Sequence, residues 1–305
     1  MVKEEILQVL PKRLKDILLK EISDWNQLQE VRIRLNEPIA LSVKGSKRLP
    51  NQNGQVVNKK ELREILEYIS RYSLYAFEEE IKKGFLTIPG GHRIGLAGQV
   101  VMENGKVKTM KHISFLNIRV AHEVKGCANP VMPYLFENGK LLSTLIASPP
   151  GAGKTTLLRD IIRQVASGGK MFTEKTVSVI DERSELAGSY MGKPTKDMGI
   201  HCDVLDACGK VEGIHMMLRS MSPEIIAVDE IGTEEDLAVL EMALTTGCAL
   251  LATIHGSSFK QLREKTSFQK MLADNMFERV IFLKTDGIPG KIQGIYDGKG
   301  QVLCG

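Results

Sequence analysis

Aromatic side chains are scarce in this sequence, and no apolar stretch is long enough to cross a membrane. Phe, Trp and Tyr make up 5% of the 305 residues. Nowhere do they interleave with Arg or Lys as in proteins that stack nucleic-acid bases on aromatic rings. A membrane-spanning helix needs about 20 consecutive apolar residues. Both scarcities argue against a nucleic-acid-binding protein and an integral membrane protein, so we expect membrane association to come only through partners.

Cysteine is also sparse, and its spacing does not suit a disulfide framework. The five cysteines are an odd, scattered set with no C-x-x-C pair. They are Cys127, Cys202, Cys208, Cys248 and Cys304. Reduced thiols of a cytosolic protein explain such a set most simply. The first five residues carry charges of both signs and no apolar signal segment. We therefore expect a cytoplasmic protein.

The length and composition suit two globular domains of ordinary size. Hydrophobic residues make up 43% of the chain and charged residues 26%, which is typical of folded proteins. The net charge of +4 is unevenly spread, because Lys and Arg exceed Asp and Glu in residues 1–125 but not afterwards. A basic half can face nucleic acid, acidic lipid or a nucleotide bound by a neighbouring subunit. An ordinary solvated surface gives the same excess.

Residues 1–124 mix helical and strand patterns and predict an α+β domain. Apolar residues recur with helical periodicity in 3–22 and 61–80. Short strands are predicted at 31–35, 39–43, 85–88, 93–96, 99–102 and 115–120. Residues 44–58 are polar and rich in Gly, Asn and Gln, which predicts a loop or hairpin. A linker is expected near 123–129.

Residues 125–305 instead alternate strand and helix patterns and predict an α/β domain. The runs 141–147, 176–180, 225–228 and 249–254 are continuously apolar, as buried parallel strands are. The stretches 280–283 and 292–295 are expected to close the sheet as antiparallel edge strands.

A glycine-bearing loop follows the first of these apolar runs and precedes a helical pattern. Residues 147–156 are Ala-Ser-Pro-Pro-Gly-Ala-Gly-Lys-Thr-Thr, close to the G-x-x-x-x-G-K-[ST] phosphate loop, with Ser148 in place of the first Gly. Backbone N–H groups and the helix N-terminus favour phosphate there, and Lys154 adds a cation. We expect a nucleoside triphosphate to contact Pro150, Gly151, Ala152, Gly153, Lys154, Thr155 and Thr156.

The apolar run 225–228 ends in Asp229 and Glu230, which is the pattern of a Walker B element. In an α/β sheet, chemistry gathers at the carboxyl ends of the strands. Asp229 and the Thr155 hydroxyl are candidate ligands of Mg²⁺, and Glu230 is the candidate residue that polarises the attacking water.

Two further strands end in polar residues. Asp181 and Glu182 follow the run 176–180, and Glu182 is the second candidate for activating water. A surface turn would give the same cluster. His255 follows the run 249–254 at the position of a γ-phosphate sensor, although a lone histidine is more often structural.

These elements resemble those of the secretion ATPase superfamily, which contains type II and type IV secretion ATPases and pilus motor ATPases. Asp181-Glu182 with Glu185 is similar to the family's Asp box, and Thr253-Ile254-His255-Gly256 to its His box. Three longer motifs resemble the AA family of stage III sporulation proteins, which are ATPases of a mother-cell-to-forespore channel. They are residues 73–80 (SLYAFEEE), 90–98 (GGHRIGLAG) and 219–224 (RSMSPE).

The resemblance implies a RecA/AAA-like P-loop fold and a homo-oligomeric ring, expected to be hexameric, with ATP and Mg²⁺ between subunits. It also implies that basic residues of the N-terminal domain approach the phosphates. Arg93 and Arg119 are the first candidates for such a catalytic role, with Arg32, Arg34 and Arg219 behind them. An ordinary surface arginine is an equal alternative for each.

The expected function is therefore an Mg²⁺-dependent ATPase that powers or assembles a membrane-embedded transport channel with its partner proteins. The rival from another class is a nucleic-acid translocase or ATP-gated nucleic-acid-binding protein, which the basic N-terminal half permits. A third alternative is a nucleotide-gated scaffold without sustained turnover. The choice of ATP over GTP rests on the resemblance, since the sequence has no guanine-specific N-K-x-D motif.

Overall fold

The computed structural model describes residues 2–50, 55–70, 78–169, 172–285 and 289–305. The chain divides into two compact units, Met1–His122 and Glu123–Gly305. Each unit has its own buried apolar core.

The helices of the first unit lie on one face of an antiparallel sheet. They are α1 (Val2–Leu7), α2 (Lys12–Glu21), α3 (Lys59–Ile69) and α4 (Glu78–Lys83). The prediction of a single helix over 3–22 is wrong. Helix α1 ends at Leu7, and Pro11 directly precedes the first residue of α2. A proline disfavours helical geometry at the residue before it.

The helix predicted over 61–80 is also shorter than expected. Asn58 and Glu61 form a reciprocal capping box that begins α3 two residues earlier than predicted. The helix ends at Ile69, and α4 starts only at Glu78. The intervening residues 71–77, which include most of the 73–80 motif, lie outside the described residues.

In the described part of the first unit, six strands form one sheet. They are β1 (Leu28–Arg34), β2 (Ala40–Val43), β3 (Ser46–Arg48), β4 (Phe85–Ile88), β5 (His92–Glu103) and β6 (Lys106–Arg119), in the order β3-β2-β1-β6-β5-β4. One face is apolar and buried, with Val31, Ile94 and Ile118 in the core. Arg93 and Arg119 are cross-strand partners, which places both side chains on one face.

Strands β5 and β6 are longer than the sequence predicts. The separate strands expected at 93–96 and 99–102 are one strand, and Gly98 lies at an irregularity of the β5–β6 pairing. A Cβ at position 98 would lie 2.8 Å from Ile113 Cα. This glycine therefore allows two backbones to approach closely, rather than ending a strand.

The second unit contains the larger sheet. Its strands are β7 (Phe136–Glu137), β8 (Lys140–Leu141), β9 (Thr144–Ser148), β10 (Val177–Asp181), β11 (Cys202–Asp206), β12 (Ile225–Val228), β13 (Ala249–His255), β14 (Arg279–Leu283), β15 (Ile292–Asp297) and β16 (Val302–Cys304). Its helices are α5 (Lys154–Ser167), α6 (Lys210–Ser220), α7 (Glu234–Thr245), α8 (Phe259–Arg263) and α9 (Thr266–Ala273). Among the described residues, β7 and β8 form a two-stranded sheet, and the other strands of this unit form one sheet in the order β11-β10-β12-β13-β9-β14-β15-β16.

This sheet is parallel from β11 to β14, and β15 and β16 continue it in antiparallel pairing. The prediction that 280–283 is an edge strand is wrong, because β14 lies in the interior, where it pairs parallel with β9 and antiparallel with β15. The stretch 292–295 pairs antiparallel as predicted, but β16 lies beyond it in the sheet. The run predicted from Leu141 enters the sheet only at Thr144, and Leu141 pairs with Phe136 instead.

The parallel arrangement positions the candidate site. Strands β10, β12, β13 and β9 follow one another in the sheet and run parallel, so their carboxyl ends lie along one edge. Their continuous burial follows from the helices that cover both faces of a parallel sheet. Within the described ranges, the structure has no helix long and apolar enough to span a bilayer.

Candidate nucleotide-binding site

The loop between β9 and α5 has the backbone form of a phosphate-binding loop. Gly151 and Gly153 both have left-handed φ angles, of +78° and +96°, a region that glycine adopts without strain. Ser148 is the last residue of β9 and is fully buried. Because Ser148 lies in the strand, no glycine is required where the usual motif begins. Pro150 is exposed at the loop entry, and Thr156 lies half-buried in the first turn of α5.

Gly153 is needed for a second reason, close packing. Gly290, between β14 and β15, donates its N–H to the Ala152 carbonyl at 2.8 Å. A Cβ on Gly153 would lie 2.2 Å from the Gly290 nitrogen. Pro289 and Gly290 therefore pack on the phosphate loop, and position 153 has no room for a side chain.

Lys154 begins α5 and is buried at the mouth of this loop, with 5% of its surface exposed. Its ammonium donates to the carbonyls of Ser148 and Pro149 at 3.2 and 3.4 Å, and to His255 Nδ1 at 3.1 Å. Burial lowers the pKa of Lys154, although the carboxylates of Asp229 and Glu230 act in the opposite direction. The loop thus holds a cation whose charge is costly until an anion approaches it.

Thr155 and Asp229 form an oxygen pair suited to magnesium. The Thr155 hydroxyl donates to Asp229 Oδ2 at 2.7 Å, and the Thr253 hydroxyl, on β13, donates to Asp229 Oδ1. Mg²⁺ prefers such hard oxygen ligands and is commonly held by one or two protein oxygens together with substrate phosphates and water. The donor set fits this mode. No group of three or more His, Cys, Asp or Glu side chains able to hold a metal occurs among the described residues.

Glu230 is fixed beside this pair in a left-handed backbone conformation, with φ of +53°. Its N–H donates to Thr253 Oγ1 at 2.9 Å. Its carboxylate lies 3.2 Å from His255 Nε2 through Oε1, and forms an ion pair with Arg183 through Oε2. A non-glycine residue in this conformation is uncommon, and such residues concentrate at functional sites.

His255 connects the lysine to the glutamate. An ammonium group can only donate hydrogen bonds, so His255 Nδ1 accepts from Lys154 and, in the neutral ring, Nε2 carries the proton that points to Glu230. Lys265 donates to the His255 carbonyl at 2.6 Å and supports this end of β13. The structure therefore brings together Lys154, Thr155, Asp229, Glu230 and His255, which the sequence predicted separately from three strand ends.

Asp181 and Glu182 have different surroundings. The Asp181 carboxylate is buried and accepts the N–H groups of Glu185 and Ala187, each at 2.8 Å. Burial raises the pKa of Asp181, and these hydrogen bonds oppose that rise. Glu182 pairs with Lys210, the first residue of α6. Among the contacts of the described residues, none joins Glu182 to Thr155, Asp229 or His255.

The candidate arginines outside this cluster belong mainly to the first unit. Arg93 stacks over the Phe85 ring, 4.0 Å from its centroid, while Arg119 is exposed on the neighbouring strand. Arg32 pairs with Glu30 at 2.9 Å, Arg34 is half-buried, and Arg219 is exposed in the last turn of α6.

Sequence reasoning assigned no role to two residues of the site, Arg183 and Lys265, and it named Thr253 only as part of the motif similar to the His box. Thr253 is a polar residue within an otherwise apolar strand, and this was a usable signal. Arg183 and Glu230 are 47 positions apart, and no sequence pattern predicts that they pair.

Comparisons with known proteins identify the family of the chain. Residues 1–303 match the family described as "Sporulation stage III, protein AA". The chain is 44% identical to stage III sporulation protein AA of Bacillus subtilis (strain 168) over 301 residues. This aligned region covers 98% of this chain and 96% of that protein.

Solved structures share the fold at low sequence identity. The ATPase DotB of Yersinia pseudotuberculosis matches with a TM-score of 0.62 at 14% identity, over 94% of this chain and 80% of DotB. The pilus retraction motor PilT, solved with bound ADP, matches with a TM-score of 0.60 at 15% identity, over 91% of this chain and 77% of PilT. These likenesses confirm the predicted fold, a P-loop NTPase sheet preceded by an α+β domain. By its sequence, the chain belongs to the family of sporulation stage III protein AA.

Proposed function

We propose that this chain is an Mg²⁺-dependent ATPase. The observation that carries the proposal is the hydrogen bond of 2.7 Å between Thr155 and Asp229, with Lys154, Glu230 and His255 in contact around the same strand ends. A phosphate loop and a Walker B carboxylate have to meet in this way to share one metal-bound polyphosphate.

Each residue then has a definite task. The N–H groups of residues 151–155 and the N-terminus of α5 bind the β- and γ-phosphates, and Lys154 exchanges its carbonyl and imidazole contacts for phosphate oxygens. Thr155 and Asp229 hold Mg²⁺, which neutralises charge on the phosphates when it is bound. Glu230 orients the attacking water and withdraws its proton. Glu182, paired with Lys210, is the weaker candidate for this step.

Family membership and fold together support a proposal for the biological task. The family is one of sporulation proteins, and the fold is that of the ATPase DotB and the pilus motor PilT. We assign the hydrolysis cycle to powering or assembling a transport channel between mother cell and forespore. The chain would act from the cytoplasmic side, bound peripherally to membrane proteins of that channel.

The proposal includes a homo-oligomeric ring, with six copies as the expected number. Transfer of the γ-phosphoryl group builds up charge that an arginine from a neighbouring subunit can neutralise. Arg119 is the stronger candidate, because its side chain is exposed, whereas Arg93 is stacked on Phe85.

One observation favours a second candidate function, a nucleic-acid translocase. Arg93 and Arg119 lie opposite each other on one sheet face, with the Phe85 ring beneath Arg93. Cations beside an aromatic ring on an open sheet are also suited to single-stranded nucleic acid. Salt-sensitive stimulation of ATP turnover by DNA or RNA would favour this function, and its absence would favour the channel motor.

Steady-state phosphate release from ATP with Mg²⁺ tests the main proposal. Lys154→Ala should abolish turnover, and Glu230→Gln should retain nucleotide binding while lowering hydrolysis to a slow residual rate. Lys193→Ala, which removes an exposed cation of the same unit, is the control and should match the wild type. Turnover that survives Lys154→Ala would contradict the proposal. Nucleotide binding without any wild-type turnover would favour the scaffold alternative, and a parallel GTP assay measures base preference.

A further inference from the structure

Arg183 lies beside the candidate site but has no part in the assignments above. It lies two residues after Asp181, the last residue of β10. Its guanidinium pairs with Glu230 Oε2, although 61% of its side chain is exposed. An exposed ion pair contributes little to folding, usually about 0–1 kcal/mol. The contact therefore needs an explanation other than stability.

The backbone on both sides of Arg183 is anchored. Ser184 has a left-handed φ of +54°, and its hydroxyl donates to Asp206 at 2.7 Å. Asp181 accepts the N–H groups of Glu185 and Ala187, and buried Arg159 donates to the Glu185 carbonyl at 2.7 Å. Because the loop is held at these points, little backbone freedom is lost when Arg183 is presented to its partner.

The other half of the contact is held as firmly. The backbone of Glu230 is fixed by Thr253, but a glutamate side chain still has three rotatable bonds. Arg183 and His255 each hold one carboxylate oxygen of Glu230. A carboxylate offers about four lone-pair sites, so two contacts fix its plane and leave sites for a water molecule.

We propose that Arg183 is a positioning residue that, together with His255, holds the Glu230 carboxylate in the orientation needed to act on the attacking water. The inference rests on the proposed ATPase function and deepens it. A guanidinium suits this task, because its planar fork restrains a carboxylate more strongly than a lysine ammonium does.

The test uses the full-length chain with five variants, Arg183→Ala, Arg183→Lys, Glu230→Gln, the double variant Arg183→Ala/Glu230→Gln, and Lys193→Ala as the control in the same loop. Steady-state and single-turnover phosphate release give kcat and KM, and a fluorescent ATP analogue gives nucleotide affinity. Misplacement of a reacting group by about 1 Å costs on the order of 100-fold in rate.

We expect Arg183→Ala to lower kcat by roughly 10- to 100-fold while KM and nucleotide affinity stay near the wild-type values. Arg183→Lys should recover part of the rate. In the Glu230→Gln background, Arg183→Ala should have no further effect, since the group that it positions is already gone.

Three outcomes would overturn the inference alone: a wild-type kcat for Arg183→Ala, a loss confined to nucleotide affinity, or a full further loss on top of Glu230→Gln. The last would mean that Arg183 acts on the phosphates directly. If Lys154→Ala leaves the wild-type rate unchanged, the proposed ATPase function fails, and this inference fails with it.

Discussion

The hydroxyl of Thr155 donates a hydrogen bond of 2.7 Å to Asp229, a residue 74 positions further along the chain. Strand β13 lies between the two strands that deliver them, and its Thr253 donates to the other oxygen of the same carboxylate. The oxygens that we propose as metal ligands are thus held in alignment by contacts within the chain. Such pre-alignment reduces the reorganisation that binding would otherwise require.

This pair predicts a specific effect on the magnesium requirement. Thr155→Ala removes one oxygen ligand, so the Mg²⁺ concentration for half-maximal phosphate release should rise by on the order of 10- to 100-fold. Thr155→Ser keeps the hydroxyl and is the matched control. A magnesium titration of all three proteins measures the effect. An unchanged requirement in Thr155→Ala would mean that this hydroxyl is not a metal ligand.

The two glycines of the phosphate loop predict unequal losses of stability. Both have left-handed φ angles, where an alanine costs roughly 1–2 kcal/mol. Only at Gly153 would the added Cβ also collide with backbone, 2.2 Å from the Gly290 nitrogen, while nothing lies within 4 Å of a Cβ at Gly151. Gly153→Ala should therefore lower the free energy of unfolding by more than Gly151→Ala does. Chemical denaturation without nucleotide measures both, and equal losses would disprove the collision.

The buried parallel strands were predictable because each is a continuous apolar run. Strand β12 has the bounds expected from the sequence, and it is buried at every residue. The edge strand β11 was missed, since it is only half-buried and carries Asp203 and Asp206. The N-terminal helix was predicted too long, because the apolar periodicity continues past Pro11 whereas the helical backbone conformation is interrupted before it.

The grouping of the candidate site residues could be predicted in part, because the same apolar runs locate the strand ends that carry them. Motif spacing predicts that Lys154, Asp229 and His255 follow strands of one sheet, and a parallel sheet brings their ends together. The sequence could not predict that His255 would contact both Lys154 and Glu230. That contact depends on loop geometry, including the left-handed backbone of Glu230, for which no local pattern exists.

The buried lysine predicts how nucleotide affinity depends on pH. Burial lowers the pKa of Lys154 below its ordinary value of 10.5. The charged form binds phosphate, so affinity should fall as pH rises through this lowered pKa. Fluorescent-ATP titrations between about pH 8 and 10, where the phosphates no longer titrate, measure the change. The residual binding of Lys154→Ala should lack this dependence. An affinity that stays constant in the wild type would show that Lys154 remains charged throughout.

The proposed ring predicts that two inactive variants restore each other. Arg119→Ala should lower turnover by on the order of 10³-fold if the arginine neutralises charge on the transferred phosphoryl group. Glu230→Gln keeps Arg119 but loses its own water-activating group. When the two are mixed, a Glu230→Gln copy can offer its arginine to the intact site of an Arg119→Ala neighbour.

At equal mixing, about a quarter of the subunit interfaces in a closed ring would combine an intact site with an intact arginine. Phosphate release should therefore recover to roughly that fraction of the wild-type rate, and it should fall again on dilution below the concentration at which the ring assembles. Lys193→Ala mixed with Glu230→Gln controls for dilution of active copies. If the mixture stays inactive while energy transfer between differently labelled copies shows mixed rings, Arg119 does not act between subunits, and Arg93 should be tested by the same exchange.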